Sequence, residues 1–177
     1  MTSPDPVAPA GAVVVLPGSF DPFTLGHLDL ARRAAAIAGR VVVAVSHNPS
    51  KRGLLDLDTR CGVIAEAIDA DGLGGSVEVR PLPAGLLVDF CREIGARAVV
   101  RGLRNQVDLS YEEPMARMNA HLAGVDTMFL LSSPALAHIS SSLVREVAGL
   151  GGAVDDMLPS ASARALRAAL AEREHRA

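Results

Sequence analysis

The chain has 177 residues, 49% of them hydrophobic and 21% charged, which suits one globular domain with its own core rather than a disordered or fibrous chain. Aromatics make up 3% and tryptophan is absent, so that core has to be built from Val, Leu, Ile and Ala. A formal net charge of −3 argues against long-range attraction to nucleic acid but leaves room for local basic pockets that hold a phosphorylated small molecule.

Residues 1–10 are Pro-rich, with neither a basic start nor a long apolar stretch, and read as a loose tail. Residues 11–177 are expected to form a single domain. Along it, short β-branched runs at 12–16, 41–46, 77–79, 98–101 and 127–131 read as strands. Val13-Val14-Val15 and Val41-Val42-Val43 are apolar on both faces, as buried parallel strands require. Helical periodicity covers 26–37, 59–68, 85–94 and 109–121, with Asp58 the expected cap of the second of these. Two further helices are expected at 141–150 and 161–174. Such alternation predicts an α/β fold, a Rossmann-like, doubly wound, five-stranded parallel sheet with helices on both faces. Cys61 and Cys91 fall in helical segments without metal-type pairing and are expected to be buried free thiols of a reducing cytosol. No apolar run approaches the length of a bilayer.

In such sheets ligands bind beyond the carboxyl ends of the strands, so the residues just past each strand carry the chemistry. After the first comes Pro17-Gly18-Ser19-Phe20-Asp21-Pro22-Phe23-Thr24-Leu25-Gly26-His27. Gly18 is expected to let the backbone approach a ligand, and Thr24 to cap a helix whose N-terminus, with Gly26 leaving room, receives a phosphate. His27 is expected to serve that phosphate as a cationic donor, a capping or surface histidine being the alternative. After the second strand, Lys51 is a flexible point charge suited to a phosphate. After the fourth, Arg101-Gly102-Leu103-Arg104 presents two guanidiniums, with Gly102 expected to turn the chain so that both reach the cleft. The fifth leads to Ile139-Ser140-Ser141-Ser142, a helix start with more hydroxyls than a cap needs and a good nest for triphosphate oxygens. No P-loop, no G-x-G-x-x-G after the first strand and no G-x-S-x-G elbow occurs, which removes three common phosphate, dinucleotide and acyl chemistries.

In order and spacing these segments resemble the phosphopantetheine adenylyltransferases, of the nucleotidyltransferase superfamily with the [HT]-x-G-H signature, here Thr24-Leu25-Gly26-His27. Asn48-Pro49-Ser50-Lys51, Tyr111-Glu112 and Met118-Asn119 belong to the same likeness, which runs from about Val13 to about Pro159. The resemblance implies AMP transfer from ATP to 4′-phosphopantetheine with Mg2+, in a cytoplasmic homohexamer of coenzyme A biosynthesis, with no nucleic acid or membrane partner. It implies ATP contacts from Ser19, Phe20, His27, Gly102, Leu103, Arg104, Glu112, Leu136, Ala137, His138, Ile139, Ser140, Ser141 and Ser142. His27 is implied as catalytic, and Ser19, Lys51, Leu87 and Arg101 as acceptor contacts; protein ligands of the metal are left open. The chain departs from the family pattern at Ser110, where an acid is usual, and at His138, where an aromatic is common. Pro114 is expected in the first turn of its helix, the place a helix tolerates it. Two alternatives stay open: a sister transferase acting on nicotinate mononucleotide or glycerol 3-phosphate, and a non-catalytic nucleotide-binding regulator.

Overall fold

Val14 and Leu16 alternate with Val15, so the first strand must bury both of its faces, and the chain supplies a helical layer for each. The structure, a computed structural model, describes residues 11–46 and 53–175. Its strands are β1 (Ala12–Gly18), β2 (Gly39–Ser46), β3 (Val77–Leu82), β4 (Ala98–Leu103) and β5 (Asp126–Leu131). They form one parallel sheet in the order β3-β2-β1-β4-β5. The helices are α1 (Leu25–Ala38), α2 (Leu57–Ala70), α3 (Leu87–Glu93), α4 (Gln106–Ala123), α5 (Ser141–Gly149) and α6 (Ser160–Glu174). Val14, Leu16, Val41, Val43 and Val45 pack with α1 and α2 on one face. Val15, Val42, Ala44 and Val99 pack with Val88, Phe90 and Cys91 of α3 on the other. This is the doubly wound α/β architecture that the alternation predicts. A third cluster, around Val144, Leu158 and Leu166, ties α5 to α6.

The strand order reverses direction between β1 and β4, and that is where an open α/β sheet forms its crevice. Local chemistry widens it. β1 pairs with β2 along its whole length, from Ala12↔Gly39 to Gly18↔Val45, but with β4 only at Val14↔Ala98 and Val15↔Val99. Pro17 has no N–H to continue a ladder, so beyond it the two central strands part.

Several boundaries differ from those expected. The cap of α2 is Asp56, whose Oδ1 accepts from the Thr59 N–H at 2.7 Å, and Asp58 lies inside the first turn. β3 continues to Leu82 through Pro81, which an edge strand tolerates because one side needs no donor. β4 continues through Leu103, so Gly102 is a strand residue and not a turn; a Cβ there would lie 3.0 Å from Leu30 of α1. Cys91 is buried as expected, whereas Cys61 is half-buried; burial raises the pKa of both thiols.

The largest difference is in α4. It opens three residues ahead of the expected start, because Asn105 accepts from the Asp108 N–H at 3.0 Å and caps it. Pro114 therefore sits mid-helix and exposed, not in the first turn, and the carbonyl of Ser110 loses its usual donor. Interior proline is costly, so Pro114→Ala is expected to stabilise the fold by about 1–3 kcal/mol. A melting temperature unchanged or lowered in calorimetry would mean that α4 is shaped around the proline.

Candidate active site

Pro17 and Gly18 begin the turn that carries the site. Phe20 takes φ 50, a left-handed conformation that costs a non-glycine residue roughly 1–2 kcal/mol. Its ring is held edge-on against Phe23 at 5.6 Å and His27 at 5.0 Å. A Cβ on Gly18 would come within 2.7 Å of that ring. The phenylalanine that locks the turn thus also requires the glycine, which lines both cavities of the site.

Thr24 caps α1 as expected: its hydroxyl accepts from the His27 N–H at 3.4 Å and its carbonyl from Leu28 at 3.1 Å. His27 returns the bond, its Nδ1 accepting from the Thr24 N–H at 3.0 Å. The two readings of this histidine therefore coexist, since capping through Nδ1 leaves Nε2 to carry the proton of a neutral ring. Burial, with Arg104 and Arg101 nearby, lowers its pKa to about 4. Without a bound anion the ring is neutral, burial being the main cause and the two arginines adding to it, so the expected cationic donor is replaced by a neutral Nε2–H donor.

Arg101 and Arg104 both reach the cleft without any turn at Gly102, since Arg104 lies just past the end of β4. Each is gripped by a carboxylate of α4. Arg101 Nε donates to Glu112 Oε2 at 2.7 Å, its Nη2 donates to Oε1, and its Nη1 donates to the Pro17 carbonyl at 2.7 Å. That last bond spans the gap where β1 and β4 part. Arg104 forms a fork on Asp108 at 2.9 Å for both contacts, which raises the arginine's pKa and lowers that of Asp108.

On the far wall, Ser140 caps α5 by accepting from the Leu143 N–H at 3.2 Å. Ser141 Oγ donates to the Pro22 carbonyl at 2.8 Å, and Arg145 donates to the Asp21 carbonyl. These two are one turn apart on α5, so one helix face docks on the turn after β1.

The walls enclose a cleft of about 400 Å3. Among the residues expected in the site it brings together Ser19, Phe20, His27, Arg101, Gly102, Arg104, Glu112, Leu136, Ile139, Ser140, Ser141 and Ser142. Leu103, Ala137 and His138 are not in its lining; the Leu103 side chain is buried. Lys51 lies outside the described residues. A second cavity, of about 720 Å3, opens on the other side of Arg101 and is bordered by α3 and α4, with Leu87 in its wall. Its lining is mostly apolar, including Leu86, Val88, Met115 and Met118, with buried Asn119 and the buried Thr127 hydroxyl, which has no hydrogen-bond partner among the described residues. Ser19, Arg101 and Glu112 border both spaces.

Residues 15–147 match the cytidylyltransferase-like family. Phosphopantetheine adenylyltransferase of Clavibacter michiganensis subsp. michiganensis is 52% identical over 87% of this chain and 94% of its own length. The enzyme of that name from Leifsonia xyli subsp. xyli is 52% identical over 84% of this chain and 93% of its own. The one from Nocardioides sp. is 51% identical over 89% and 96%. The chain belongs to the phosphopantetheine adenylyltransferase family. The fold is also that of the crystal structure of a putative nicotinate-nucleotide adenylyltransferase from Vibrio parahaemolyticus, with TM-score 0.62 and 18% identity over 90% of this chain and 94% of that one.

As a member of the phosphopantetheine adenylyltransferase family, the chain shows site residues that its motifs alone do not single out. Asp108 stands four residues after Arg104, across the Asn105 cap of α4, and Ser141 and Arg145 stand four apart on α5, a spacing that puts both side chains on one helix face. Glu112 pairing with Arg101 has no such local signal, because the partners lie on different elements.

Proposed function

We propose that the chain transfers AMP from ATP to 4′-phosphopantetheine, giving dephospho-coenzyme A and pyrophosphate. The observation that carries this is the meeting of two spaces at Ser19 and Arg101: a polar cleft rimmed by arginines and serines, and a larger apolar cavity. Triphosphate suits the first. A long arm of methylenes and amides suits the second, where Asn119 and Thr127 offer sparse polar partners; a compact acceptor such as glycerol 3-phosphate leaves it empty.

In this reading ATP lies along Ser19, Phe20, His27, Gly102, Arg104, Glu112, Leu136 and the 139–142 segment, and the acceptor along Ser19, Lys51, Leu87 and Arg101. An oxygen of the acceptor phosphate attacks the α-phosphorus in line, and the bond to the β-phosphate oxygen breaks. No protein nucleophile is needed. The residues hold two mutually repelling anions in register, and the His27 Nε2–H and Arg104 stabilise charge on the phosphoryl oxygens. Asp108 and Glu112 are occupied by arginines, and no group of three or more His, Cys, Asp or Glu side chains gathers among the described residues. With both carboxylates paired to arginines, Mg2+ would enter with the triphosphate and would offset phosphate charge there. We place the reaction in the cytoplasm; among the described residues no helix is long and apolar enough to cross a membrane.

The test is to incubate the protein with ATP, Mg2+ and, separately, phosphopantetheine, nicotinate mononucleotide and glycerol 3-phosphate. Product masses are expected to show dephospho-coenzyme A alone. Product from another acceptor would reassign the substrate, and no pyrophosphate with any of them would favour a regulator.

A homohexamer is part of the proposal. Along α4, Met115, Met118 and Leu122 border the second cavity, and the same apolar stripe continues beyond it through Val107 and Tyr111, with Tyr111 80% exposed. A stripe of that kind is ordinarily covered by a partner. Light scattering is expected to give six times the 18.3 kDa chain mass, and Tyr111→Glu to lower it. A monomer at micromolar concentration would remove the assembly and leave the chemistry standing.

A further inference from the structure

Behind both cavities, and in the lining of neither, lies a buried cation. Arg60 of α2 is only 5% exposed. Its Nη1 donates to the Ser19 carbonyl at 2.5 Å and to the Ser46 carbonyl at 2.8 Å, and its Nε donates to the Asp56 carbonyl at 3.2 Å. Among the described residues it has no carboxylate within ion-pair distance. A buried guanidinium with only neutral acceptors is an expensive way to fill space, and an apolar side chain would pack there at lower cost. What the guanidinium adds is a rigid fork that reaches several acceptors in fixed directions.

Those acceptors matter. Ser19 borders both cavities, and Ser46, where β2 ends, borders the second. The same turn is pinned independently from Asp21, whose carboxylate accepts from the Leu54 N–H at 2.7 Å and the Leu55 N–H at 3.0 Å. We propose that Arg60 is a positioning residue for the transfer: by joining the Ser19 and Ser46 carbonyls it sets the turn after β1 against the end of β2, and so the acceptor phosphate against the nucleotide. This rests on the transferase function proposed for the chain.

The conservative variant is Arg60→Lys, which keeps the charge but replaces the fork with a single flexible ammonium. It is expected to fold, to lower kcat by about ten- to a hundredfold and to raise the acceptor KM severalfold, the scale of a small misplacement of reacting groups. ATP affinity measured by calorimetry without acceptor is expected to change less than the acceptor KM. Hydrogen exchange should quicken at the amides of residues 18–20, 54 and 55. Arg60→Gln, which loses the charge as well, should show the same pattern more strongly. A lowered melting temperature with kcat and KM unchanged overturns the proposal, as does unchanged exchange at those amides. Failure of both variants to fold also overturns it, making Arg60 a folding element. Wild-type protein that releases no pyrophosphate with any acceptor instead removes the transferase function, and the exchange measurement still decides whether Arg60 holds the turn.

Discussion

His27→Ala is expected to lower kcat about a hundredfold or more while changing ATP affinity much less. The Nε2–H donor meets phosphoryl oxygens best as charge shifts in the transition state, so its loss falls on the chemical step. Alanine also removes half of the α1 capping box, which costs about 1 kcal/mol of stability. His27→Gln separates the two effects. Glutamine at this position still accepts from the Thr24 N–H, so stability should return while the rate stays low. A rate that recovers with the cap would make His27 a structural residue only.

The same histidine carries a pH signature. Its folded pKa of about 4 lies below the ordinary 6.5, so between those values the unfolded chain binds the extra proton. Stability from this group is complete above pH 6.5 and is lost as pH falls toward 4. Denaturation profiles of wild type and His27→Gln should therefore diverge on acidification through that window, the wild type alone losing stability. Parallel profiles would mean that the ring is not held neutral.

Much of this was legible in the sequence where one physical cause acts over a short stretch. Val13-Val14-Val15 and Val41-Val42-Val43 can satisfy two apolar faces only between helical layers, which sets the sheet and so the strand ends where the cleft forms. Thr24 and Ser140 announce their helices because a cap is a bond across three residues. What was not legible depends on contacts between elements or on backbone detail. Asp56 and Asp58 are chemically equal candidates, and only the start of the helix chooses between them. Pro114 interrupts the pattern of α4, yet the Asn105 cap and the Arg104–Asp108 fork start the helix three residues ahead of the expected position, about two turns before the proline. The neutral state of His27 follows from its burial and from two arginines at another strand's end, and Arg60 looks like a solvated helix residue until its carbonyl partners are seen.

Arg101→Met is expected to raise the acceptor KM at least about tenfold and to lower kcat about a hundredfold, with ATP affinity in the absence of acceptor falling less. Arg101 stands where the two cavities meet, so it reaches the incoming phosphate at the point of closest approach to the triphosphate. Two effects contribute to the loss. One is direct: the acceptor phosphate loses a guanidinium that orients it. The other is indirect, because Glu112 loses its fork and stands as an uncompensated carboxylate facing two anions. The double variant Arg101→Met/Glu112→Gln resolves them, since it removes the repulsion without restoring the contact. It should regain melting temperature and part of the KM while kcat stays at least about tenfold below wild type. Full recovery of kcat would reduce Arg101 to the counter-ion of Glu112. Lys51, the other cation assigned to the acceptor, would then have to carry the phosphate alone, and Lys51→Met in the same assay would show a larger loss than Arg101→Met/Glu112→Gln.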